Sequence, residues 1–101
     1  MTYSEGLELA QKHLPAFKTH NTFKIGGMNC QFLGFIVCPE DADIELKNNI
    51  FEQVMYKGVD NEFLLREFGL AGKAQNVFLV YLQGGDKLVV PFNPDAIDFS
   101  T

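Results

Sequence analysis

The sequence predicts a single α+β domain over residues 1–101: an antiparallel sheet of about four strands, helices packed on one face, order α-ββ-α-α-ββ. Three observations carry that expectation. Two glycine pairs, Gly26-Gly27 and Gly84-Gly85, each separate two strand-like apolar runs, and tight hairpin turns need the positive φ that glycine adopts freely. Other segments space their apolar residues three and four apart, which is the period of a helix. The chain has 101 residues, 47% of them hydrophobic, so it can bury one core without metals or disulfides and has no room for two domains.

The first helix is announced by Thr2-Tyr3-Ser4-Glu5, a capping box with Thr2 as N-cap. Leu7, Ala10, Leu14 and Phe17 then form one apolar stripe. Pro15 cannot donate a backbone hydrogen bond, so the helix is expected to end or kink near His13, with a turn or stub to about His20. Residues 22–25 and 28–38 follow as a hairpin. From Leu33 to Val37 both faces turn apolar, which marks a central strand ended by Pro39.

Glu40, Asp41 and Asp43 put negative charge where a helix start favours it. Leu46, Ile50 and Val54 make the apolar row of that helix, and Gly58 suits its C′ position. Asp60 can cap a third, shorter helix, with Val59 and Leu64 at staple spacing and Gly69 as its end. Residues 77–82 and 87–92 form the second hairpin, and Pro91 places the return strand at an edge. Asn93-Pro94-Asp95 suits one terminal helical turn. The expected core is Leu7, Leu14, Phe23, Phe32, Leu33, Phe35, Ile36, Ile50, Val54, Leu64, Phe68, Val77, Leu79 and Val89.

Cys30 and Cys38 lie on one predicted strand, pointing to one face but roughly 26 Å apart at about 3.3 Å per residue. That spacing favours two buried, reduced thiols over a bridge or redox pair. With no basic-then-apolar leader at the start of the sequence and no apolar run long enough for a membrane helix, the expected location is the cytoplasm.

Enzymatic chemistry finds little support, and neither cofactor nor metal is expected. Serines occur only at Ser4 and Ser100, and threonines at 2, 19, 22 and 101. A Cys30 or Cys38 dyad with His13 or His20 would need a thiol pKa lowered by its surroundings, whereas an apolar strand raises it. Asp41, Asp43, Glu45, Lys47, Asn49 and Glu52 have the spacing of a calcium loop, but its sixth position is Leu46 where the sharp turn needs glycine. Gly69–Lys73 imitates part of a phosphate-binding loop yet lacks its first glycine and its hydroxyl residue, and it follows a helix.

The informative signal is where the charge sits. Net charge is −5, and residues 40–67 alone hold −5, against +1 for residues 1–39 and −1 for 68–101. An acidic chain disfavours direct contact with nucleic acid or an anionic membrane. A negative helical face instead suits docking to a basic protein such as a toxin or nuclease, as an immunity protein, antitoxin or anti-defence inhibitor does. The expected contacts are Glu40, Asp41, Asp43 and Glu45 at one helix start, Asp60 and Glu62 at the next, and Tyr56 as an aromatic anchor. The alternatives are an acidic secretion-type chaperone or adaptor, and a small-ligand domain or enzyme with a dispersed site.

Overall fold

Capping chemistry sets where the helices begin. In the computed structural model, which describes residues 1–99, the Thr2 hydroxyl accepts the Glu5 N–H at 3.2 Å and the Glu5 carboxylate accepts the Thr2 N–H at 2.8 Å. These bonds hold the Glu5 carboxyl below its ordinary pKa and start helix α1, Tyr3–Thr19. Ser100 and Thr101, noted above for their hydroxyls, lie outside the described residues.

The expected break at Pro15 does not occur: α1 runs through it to Thr19. Proline removes the bond to the Gln11 carbonyl, but Gln11 and Pro15 both face solvent, where water can take that carbonyl. On the opposite side Phe17, 1% exposed, pins the last turns to the sheet. Tertiary packing outweighs the local defect.

Strands β1 (Thr22–Ile25) and β2 (Met28–Cys38) form the first hairpin, with Gly26 and Gly27 at φ 57° and 78°. Helix α2 (Ile44–Lys57) is capped by the Asp43 carboxylate on the Leu46 N–H at 2.8 Å, and Gly58 closes it in the left-handed region. Helix α3 (Asn61–Glu67) is capped by Asp60 on the Phe63 N–H at 3.0 Å. Strands β3 (Asn76–Gln83) and β4 (Asp86–Pro91) form the second hairpin, and a 3₁₀ turn, Pro94–Ala96, follows. The sheet has the order β1-β2-β3-β4 with every neighbour antiparallel. Class, strand number and element order match the expectation.

The placement of the helices differs from it. Gly6 and Ala10 of α1 pack on Val37 and Val77, and Phe17 packs on Phe23, Phe32 and Phe35. On the other side Ile36, Cys38, Phe78 and Val80 pack with Ile50 and Phe51 of α2 and Leu64 and Leu65 of α3. The helices therefore cover both faces, not one. The reason is that β3 is buried at every position from Val77 to Tyr81, so each face needs an apolar cover.

A register shift in β2 between Phe32 and Gly34 corrects a second expectation. The extra residue, Leu33, inverts the alternation beyond it. Cys30 consequently lies with Phe17 on the α1 face, while Cys38 lies with Phe51 on the α2–α3 face. The two thiols are free and buried on opposite sides of the sheet. Burial pushes the Cys38 thiol up to about 12, against a smaller opposing pull from Lys47, which keeps it protonated and unreactive at neutral pH.

Of the expected core, Phe23, Ile36, Ile50, Leu64, Val77 and Leu79 are buried, and Leu14, Phe32, Leu33, Phe35, Val54 and Val89 are half-buried. Leu7 and Phe68 are exposed, at 37% and 39%. Phe17, Phe51, Phe78 and Leu65, outside that set, are buried as deeply as Ile36, Ile50, Val77 and Leu79. In α3 the buried pair is Leu64 and Leu65, which turns Phe63 outward.

Candidate functional site

The residues expected to bind a partner lie on and beside the α2–α3 helical pair, in two groups. Asp43 caps α2, and Glu40, Asp41 and Glu45 surround that start. Asp60 and Glu62 sit at the start of α3, beyond the far end of α2. Fourteen residues of helix at 1.5 Å each put roughly 20 Å between the groups. Tyr56, 71% exposed, stands at the α3 end, with its ring 5.8 Å from that of Phe51.

Six of the seven are exposed and Glu62 is half-buried. Among the described residues only Asp41 of the seven enters an ion pair, with Lys73 at 3.6 Å. The Lys47 ammonium donates to the Glu40 backbone carbonyl at 3.1 Å, so it leaves the Glu40 carboxylate to solvent. Asp43 and Asp60 have a structural duty as caps in addition to their charge.

Apart from Tyr56, sequence reasoning missed the apolar part of this surface. Ile44, Met55, Tyr56, Phe63 and Phe68 are all exposed, and all lie on or directly after α2 and α3. The signal was present in Phe63-Leu64-Leu65, three consecutive apolar residues on a short helix, which cannot all face one core.

A second feature is the edge of β2. Of β2, only Met28–Gln31 pairs with β1, and the Phe32 N–H still reaches the Asn21 carbonyl at 2.7 Å. Past that point no strand among the described residues flanks this edge. At Val37 a side chain takes the strand's place: Asn61 accepts the Val37 N–H at 2.9 Å and donates to the Val37 carbonyl at 2.8 Å. Val77, opposite Val37, gives its carbonyl to the Phe92 N–H on its other side at 2.8 Å. The ladder alternates, so Phe35, two residues before Val37, also turns its N–H and C=O away from β3. Among the described residues no side chain and no second strand takes that pair.

A groove of about 350 Å³ opens over this edge. Tyr3, Leu7 and Leu14 of α1 wall one side, and Val54, Met55 and Val59 wall the other. Asp60 stands at its rim. Partial burial and the charges of Asp60 and Glu62 raise the Tyr3 hydroxyl pKa, with the backbone of Glu62 bonding to it and opposing them. The α1 stripe thus divides: Ala10 and Phe17 meet the sheet while Leu7 and Leu14 meet the groove.

Among the described residues no group of three His, Cys, Asp or Glu side chains is arranged to hold a metal ion, and no helix is long and apolar enough to cross a membrane. In comparisons with known proteins, no family model, curated protein or solved structure matches the chain.

Proposed function

We propose that the domain is a protein-binding module that docks a basic partner, of the toxin or nuclease kind, on the α2–α3 surface and neutralises it in a reducing cytosol. One observation carries this reading: the stretch 40–67, whose charge of −5 equals that of the whole chain, also holds Ile44, Met55, Tyr56 and Phe63 exposed among acids of which, among the described residues, only Asp41 and Glu52 enter ion pairs. Charge alone serves solubility, whereas apolar anchors ringed by charge are what a binding surface combines. A typical interface covers about 800 Å² on each partner, enough to span both acidic groups along α2.

The test leaves Asp43 and Asp60 in place, because replacing a cap costs about 1 kcal/mol of helix stability and would blur the result. The variant Glu40→Gln/Glu45→Gln/Glu62→Gln removes three charges and keeps both caps. Against a basic partner isolated as a stoichiometric complex, its association rate constant is expected to fall about tenfold at low salt and to lose most of its salt dependence. Tyr56→Ala is expected to act on dissociation instead, costing about 2 kcal/mol. Association of the triple variant at the wild-type rate would make the acids a solubility face only.

A further inference from the structure

We propose that the open edge of β2 accepts an extended segment of a partner polypeptide as an added strand, with apolar side chains at alternate positions and a lysine or arginine beside Asp60 and Glu62. This deepens the proposed function by naming the form of ligand that the groove takes; it rests on that reading only in taking the ligand to be a protein.

The backbone makes the first argument. Phe35 offers one N–H donor and one C=O acceptor to the groove, spaced as a strand edge spaces them, and the matching groups are those of another main chain. Asn61 shows what the edge needs: its amide supplies one donor and one acceptor to Val37, the next outward-facing residue. The walls make the second. Leu7 is 37% exposed and Met55 42%, and they flank the edge from α1 and α2. In a strand alternate side chains point to opposite faces, so an added segment would lay one apolar set on Leu7 and Leu14 and the other on Val54 and Met55. Charge makes the third. Among the described residues Asp60 is the one charged residue lining the groove, Glu62 lies beside it, and a cationic side chain at that end would meet both. Helices on both sides leave room for one extended chain rather than the sheet edge of a second copy.

The probes are short synthetic peptides alternating threonine with valine, leucine or phenylalanine, each made with lysine or with glutamate at one end. Controls carry N-methyl groups on alternate backbone nitrogens, which remove main-chain donors and keep the side chains. Binding to the whole domain is followed through the amide resonances of β2. The lysine peptides are expected to shift and protect the Phe35 amide. N-methylation is expected to weaken them about tenfold, and Leu7→Glu on the domain to do the same. The glutamate-ended peptides are expected to bind more weakly than the lysine-ended ones. If no peptide of the series protects Phe35 at millimolar concentration, or N-methylated peptides bind as well as their parents, the strand-acceptor assignment is overturned; the second outcome would make the groove an apolar small-ligand site. Protection that grows with protein concentration in the absence of peptide would name a second copy as occupant and equally overturn it. None of these outcomes decides whether the acids of α2 speed association with a basic protein, so the two readings fail separately.

Discussion

Replacing Phe17 with alanine is expected to lower the unfolding free energy by about 3–5 kcal/mol, the range for deleting a buried aromatic. Phe17 is 1% exposed, and its ring lies 4.6–5.4 Å from those of Phe23, Phe32, Phe35 and Phe99. Such edge-to-face and stacked pairs add to the area term, and no single neighbour can fill the space. Phe17 also anchors the part of α1 that follows Pro15, so its loss should fray residues 15–19. Urea unfolding gives the free energy, and helix content gives the fraying. A loss below about 1 kcal/mol would mean that the last turns of α1 do not rest on the sheet.

Asn61→Ala is expected to cost about 2–5 kcal/mol. Asn61 is buried, and its amide makes both hydrogen bonds to the equally buried Val37 backbone. Truncation leaves a donor and an acceptor of Val37 without partners, at about 1–3 kcal/mol for each group left unsatisfied. Asn61→Asp should not rescue it, since a carboxylate can accept the N–H but cannot donate to the carbonyl. The accompanying sign is local: the Val37 amide should lose its hydrogen-exchange protection in Asn61→Ala well before the rest of β2. An unfolding free energy within about 0.5 kcal/mol of wild type would show that water substitutes for the side chain and that this end of the edge is already wet.

Much of the fold is legible in the residues themselves. The capping residues Thr2, Asp43 and Asp60 act through neighbours three positions on, and the glycine pairs act through their own φ, so both kinds of signal are local. What sequence reasoning lost depends on distant contacts. Pro15 is tolerated because Phe17 is held by the sheet. Cys30 and Cys38 face opposite ways because Leu33 bulges, and no local pattern marks that residue as the extra one. The cover on both faces of the sheet is the exception, because the apolar run from Val77 to Tyr81 in β3 already displayed the need for it.

The candidate site divides in the same way. The acidic stretch could be counted from the sequence. The apolar residues within it could not be assigned, because Phe63 and Phe68 fit a core-facing pattern as well as an exposed one. The groove was invisible for a different reason: it exists because β1 is four residues long beside an eleven-residue β2, and strand pairing lengths are set in three dimensions. Leu7 and Leu14 read as core residues because the pattern records that they are apolar, not that they line an open groove beside β2.

Residue-resolved amide hydrogen exchange along β2 of the free domain tests most directly the claim that this strand keeps an open edge between α1 and the α2–α3 pair. Ile36 pairs with Phe78 in the hydrogen-bonded register of the sheet and Val37 is held by Asn61, so both should exchange slowly. Phe35, between two protected stretches but turned to the groove, should exchange at least about tenfold faster than either. Uniform slow exchange across residues 35–37 would contradict the account, because it would show that the Phe35 amide already has a partner and that the edge is closed.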